Sequence, residues 1–201
     1  MSSIVDLDPV EAERDTPSYR KIRAGSRGFV VLFTALLALF GVFAATVILG
    51  IAFGAPYIYV GPRSMELMLP AETRHPPPEM IAFATLGLWH RLAYALVGLV
   101  KIAPVLTIFA NLRALFGLYA RGVVFAKANA AHLKWIGVGL IAYGVVPGLS
   151  HLFLTATKFE IDRVWFHASS PQALVLGGLV IVIAQVMEVG REIEEEKDQF
   201  V

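Results

Sequence analysis

The chain has no cysteine, so it can form neither a disulfide nor a thiolate metal site. Charge is also scarce. Only 16% of its 201 residues are Asp, Glu, Lys or Arg, against about a quarter in an ordinary soluble domain. Those charges balance to +1, without the basic surplus that direct nucleic-acid binding requires. A phosphate-cradling glycine loop, a paired-carboxylate motif and a Ser-His-Asp set are all missing. The chain therefore reads as non-enzymatic and without a cofactor.

What is present is apolar. Hydrophobic residues make up 57% of the chain and the mean hydropathy is +0.67, an excess of apolar surface that needs lipid to cover it. Uncharged runs predict four spans, at 28–54, 93–119, 135–157 and 171–189, and hence an all-α integral membrane four-helix bundle. The first run has 27 residues without a charge, enough to cross ~30 Å of hydrocarbon and too many for a signal-peptide core. Within it, Gly50 and Gly54 are spaced for close helix contact. Pro104 and Pro147 fall inside the second and third spans and predict kinks there.

Three regions follow: a flexible tail at 1–27, a four-helix transmembrane domain at 28–189 and an acidic tail at 190–201. The first tail is acidic from Asp6 to Asp15 and then basic at Arg20, Lys21, Arg23 and Arg27. Between the first and second spans, Pro56, Pro62, Pro70 and Pro76 to Pro78 exclude a continuous helix. An interfacial helical turn is expected at 79–89, with Tyr57, Tyr59 and Trp89 in the aromatic belt. His75 lies near Glu72 and Glu79 but has no metal-ligand spacing, so no metal site is expected.

Sidedness rests on the loop between the second and third spans. The stretch 111–137 carries Arg113, Arg121, Lys127 and Lys134, and short loops rich in cations stay cytoplasmic. Counted over all flanks, ten cations fall on that side and five on the other. Both termini are then cytoplasmic, in a multi-pass protein of a cell inner membrane.

Three ionisable residues fall within the spans: Lys101, His151 and Glu188. Charges inside a bilayer are costly and face a partner or water, or else snorkel to the headgroups. Equal depth predicts that Lys101 and His151 share a polar space on the outer side, and that Arg113 meets Glu188 on the inner side. The loop has its own logic: Gly122 suits a left-handed helix end, Phe125 can anchor at the interface, and Asn129 can cap a helix or bridge the turn.

The pattern Leu112-Arg113-x-Leu115-Phe116-x-x-Tyr119-x-x-Gly122-x-x-Phe125-x-x-x-Asn129 resembles the cytoplasmic signature of a bacterial membrane family, domain of unknown function 2975. Gly190-x-Glu192-Ile193-x-Glu195-Glu196-x-Asp198 is similar to that family's closing motif, with Gln199-Phe200 departing from its Leu-Thr. The resemblance implies four membrane helices with both termini inside and no assigned activity. It also implies companionship with small helix-turn-helix regulators. Arg113, Gly122, Phe125, Asn129, Gly190, Glu195 and Asp198 become the candidate motif for a cytoplasmic protein partner. The competing readings are a small homo-oligomeric transporter or channel, and a haem-binding four-helix protein using His90 and His151.

The natural absence of cysteine makes the topology directly testable. Lys127→Cys should label only from the cytoplasmic side, and Glu72→Cys and Asp162→Cys only from outside. External labelling at position 127 would overturn the orientation.

Overall fold

The computed structural model describes residues 17–61, 65–67, 78–123, 126–158 and 169–198. Helix α1 (Pro17–Phe53) leads into three short strands, β1 (Ile58–Val60), β2 (Met65–Leu67) and β3 (Ile81–Ala82). A 3-10 turn at Phe83–Thr85 then precedes α2 (Leu88–Ala120), α3 (Lys127–Ala156) and α4 (Ser169–Asp198). All four helices are long and apolar enough to cross a membrane, so the chain is a multi-pass membrane protein. Each helix outruns its expected span at the end carrying the α2–α3 loop: α1 starts at Pro17 rather than Gly28, and α4 reaches Asp198.

Helix packing follows chain order. The packed pairs are α1 with α2, α2 with α3, and α3 with α4, while α1 and α3 form no packed interface. Along the α1–α2 pair the antiparallel register is constant. Arg23 lies over Gly122, Arg113 reaches Thr34, Ile48 faces Gly98, and Arg91 lies over Gly54. Between the first two of these contacts the helices share an aromatic ladder. Phe29 stacks on Phe116 at 4.6 Å, and Phe40 meets Phe109 edge-on at 5.5 Å.

Helix α3 is gripped on both sides through glycine. Gly137 and Gly139 are two residues apart and so point in nearly opposite directions. A Cβ on Gly139 would stand 2.7 Å from Ile108 of α2, and one on Gly137 would stand 2.8 Å from the Gly177 carbonyl of α4. Gly177 returns the contact, its own Cβ position being 2.8 Å from the Gly137 carbonyl and 3.0 Å from Ile141 N. Backbone meets backbone here, as small residues at membrane helix contacts allow.

The expected interfacial helical turn at 79–89 is absent, and β3, the 3-10 turn and the start of α2 occupy it instead. β1 is central in an antiparallel sheet of order β2-β1-β3, with Tyr59 opposite both Glu66 and Ala82. The Ile-Tyr-Val of β1 is β-branched and aromatic, the composition that a pleated surface favours. Ile58, Val60 and Phe83 are wholly buried with Ile51 of α1, Tyr94 of α2 and Leu154 of α3, forming an apolar cap on three helix ends. Tyr59 is buried too, whereas Tyr57 and Trp89 are exposed as a belt requires.

Nor do Gly50 and Gly54 serve helix–helix contact. Gly54 has φ +70° and ends α1: its N–H bonds Ile51 O at 3.1 Å, and Ala55 N bonds Gly50 O at 2.7 Å. That paired closure is a Schellman motif, and Gly50 lies under Ile58 of the sheet.

Replacing Gly137 or Gly177 with alanine should cost about 1–3 kcal/mol, because the contacting atoms are backbone and cannot give way. Gly178→Ala, whose Cβ would meet nothing within 4 Å, should leave the thermal midpoint in detergent unchanged or slightly raised. Equal midpoints for Gly177→Ala and Gly178→Ala would contradict the packing.

Candidate functional site

The α2–α3 loop is built from three devices that interlock. At the end of α2, Arg121 caps the helix and Gly122 takes φ +80°. Gly122 N bonds Tyr119 O at 2.9 Å and Val123 N bonds Leu118 O at 3.0 Å, a second Schellman closure. Asn129 is wholly buried in the first turn of α3 and donates from Nδ2 to Val123 O at 3.0 Å. Of the two roles open to it, Asn129 therefore bridges the turn. The third device comes from α1. The Arg23 guanidinium lies on Gly122, with Nη2 2.7 Å from where a Cβ would be. A cation at the carbonyl end of α2 is favoured by the helix dipole.

The other end of the α1–α2 pair repeats this arrangement. Arg91, in the first turn of α2, lies on the left-handed Gly54 that closes α1. Both Arg23 and Arg91 bury Nε without a hydrogen-bond partner among the described residues.

Arg113 is placed by α1. Its Nε donates to Thr34 Oγ1 at 2.8 Å, and that hydroxyl donates in turn to Val30 O at 2.7 Å. The expected meeting with Glu188 does not occur, because α2 and α4 have no packed interface and Glu188 stands exposed on α4. Gly190 is helical and exposed. Glu195 and Asp198 belong to α4, though their side chains lie outside the described part, and Phe125 lies outside the described residues altogether. His75 and Glu72 lie outside them as well. Among the described residues, no group of three His, Asp or Glu is placed to hold a metal ion.

One polar pair escaped the sequence reading. His132 Nδ1 lies 2.9 Å from Asn111 Oδ1, while Asn111 Nδ2 donates to Thr107 O at 2.9 Å. Because the amide oxygen faces the ring, the proton sits on Nδ1 of His132. The signal was available in the sequence, since the two residues lie nearly equidistant from Gly122 on either side of the turn.

Helix α4 reaches past this loop. From the Gly137–Gly177 crossing, α3 runs about ten residues to its start and α4 about twenty to its end, so α4 extends roughly 15 Å further. Glu188, Glu192 and Ile193 are exposed on that extension, beside a loop that exposes Arg121, Lys127 and Lys134.

The remaining intramembrane residues separate. Lys101 is exposed and makes no hydrogen bond or ion pair with a described residue. The Asn111–His132 and Ile108–Gly139 contacts set the α2–α3 register and put Lys101 level with Tyr143 and Gly144. His151 is then about two turns, or ~10 Å, nearer the sheet. The shared polar space expected for Lys101 and His151 is not formed. On the opposite side of the α2–α3 contact, Val97, Val100, Leu149 and Phe153 line an open apolar groove of about 210 Å³, with the Ser150 hydroxyl in its wall.

Asn129→Ala removes a buried donor and leaves Val123 O unmatched, so it should lower stability by about 1–3 kcal/mol. Thr34→Val acts at an exposed site and should cost less than ~1 kcal/mol. Chemical denaturation in detergent, followed by tryptophan fluorescence, would compare them, and the reverse order would contradict the loop's construction.

A family model described as protein of unknown function (DUF2975) matches residues 11–201, nearly the whole chain. No curated protein and no solved structure matches the chain.

Proposed function

The chain belongs to this family, and on that footing we propose that it is a non-enzymatic protein of a bacterial inner membrane that docks a cytoplasmic protein partner. The docking surface is the α2–α3 loop together with the projecting end of α4. The observation that carries the reading is the contrast within the loop: its backbone is locked by Gly122, Asn129 and Arg23, while its charged side chains stay exposed. A surface fixed before binding loses little conformational entropy on binding.

Charge arrangement supports the same reading. The loop is basic and the end of α4 is acidic, from Glu192 through Glu194, Glu195 and Glu196 to Asp198. Acidic residues at a helix C-terminus oppose the helix dipole, so a cationic neighbour stabilises them. A partner presenting one acidic and one basic patch would satisfy both elements. A small helix-turn-helix regulator, whose DNA-binding face is basic, is the partner that the family resemblance suggests. The excess of cations on this end places it in the cytoplasm.

Affinity purification from native membranes in mild detergent, followed by mass spectrometry, should recover one soluble protein in a fixed ratio. The double variant Lys127→Glu, Lys134→Glu should lose that protein with an unchanged melting temperature, since both side chains are exposed. Recovery of the same partner by the variant, or of none by the wild type, would overturn the proposal.

A further inference from the structure

Lys101 stands on a particular stripe of α2. It follows Gly98, which faces α1, by three residues, and precedes Pro104 and Ile108, which face Gly139 of α3, by three and seven. Those spacings put it between the two helix-facing sides. Because α1 and α3 do not pack on each other, a cleft opens laterally from this stripe toward the bilayer. The exposure of Lys101 agrees with an open cleft.

The cleft has a polarity along the membrane normal. Toward the sheet it is closed by the apolar cap of Ile51, Phe83, Tyr94 and Leu154. Toward the bilayer centre the same stripe of α2 continues as Val105, Ile108 and Leu112, all half-buried. By the α1–α2 register Lys101 lies about 14 Å below Gly54, within the leaflet on the sheet side. One cation uppermost and an aliphatic wall beneath it match the build of a phospholipid in that leaflet, headgroup toward the sheet and chains toward the midplane. A lysine stem extended toward the sheet carries its ammonium to the level of lipid phosphates.

We propose that the cleft between α1, α2 and α3 binds one anionic phospholipid of the sheet-side leaflet, with its phosphate on the Lys101 ammonium. The acyl chains lie along Val105, Ile108 and Leu112. The site stands apart from the loop where a protein partner is proposed, and either can fail without the other. A carboxylate on a partner's membrane helix would also satisfy Lys101, but it would not need the aliphatic wall to run only toward the midplane.

The full-length protein, equilibrated with phosphatidylglycerol in detergent, should retain one such lipid in native mass spectrometry. Lys101→Met should reduce that retention about tenfold, the loss expected for one charge-assisted bond, while Lys101→Arg should keep it. Lys101 is exposed, so Lys101→Met should keep the wild-type melting temperature; this confirms that any loss of lipid is local. Inorganic phosphate should not displace the lipid, because it offers the cleft no chains. Equal retention by Lys101→Met, equal retention of phosphatidylcholine, or displacement by inorganic phosphate would each overturn the proposal. So would a membrane protein that co-purifies through Lys101 in place of the lipid.

Discussion

A guanidinium laid over a left-handed glycine is the contact on which the α1–α2 pair depends. It occurs twice, as Arg23 on Gly122 and Arg91 on Gly54, at opposite ends of the same two helices. Each glycine closes its helix by a Schellman motif, and each arginine comes from an early turn of the neighbouring helix. A side chain at either glycine would be strained by the positive φ and would also collide with the arginine. Sliding one helix past the other by a residue would misplace both arginines together. The register is thus fixed at its two ends, and the contacts between them follow from it: the phenylalanine ladder, Arg113 on Thr34, and Ile48 against Gly98.

Helix α3 joins this pair to α4 by a different means. Its two interfaces rest on Gly139 and Gly137, where the absence of side chains lets neighbours approach to backbone contact. In lipid, where apolar surface gains little by leaving one apolar environment for another, such close packing is a principal source of helix affinity. The polar contacts, His132 with Asn111 and Asn129 with Val123, are gathered at the loop end. Rigidity there and charge outside it are the two properties that a docking surface combines.

The spans were legible because hydrocarbon thickness imposes a length and forbids charge, and both can be read in one dimension. Gly122 was legible for a similar reason, since a left-handed helix end selects glycine by itself. The sheet was not. β1 is three residues long, too short to show alternation, and its proline-rich surroundings pointed only to an absence of helix. The role of Arg23 was hidden because a cation before a first span already has an explanation in sidedness, and nothing local ties it to a residue in another helix. The Lys101–His151 and Arg113–Glu188 expectations failed for one shared reason. Depth was counted from span ends, whereas the actual register is set by side-chain contacts and the helices run well past the hydrocarbon. Depth also says nothing of which helices are neighbours, and α2 and α4 are not.

Packing in strict chain order bears on how the molecule is made. A helix emerging from the ribosome finds its partner already in the bilayer and need not wait for anything synthesised later. The closing contacts are local in sequence, which keeps the entropy of loop closure small at every step. The apolar cap beneath the sheet is the one place where this order is checked. It draws on α1, the strands, α2 and finally Leu154 of α3, so it stays incomplete until the third helix has crossed. Helix α4 then joins through the glycine face of α3 alone, as the last passenger on a structure whose first three helices have already settled.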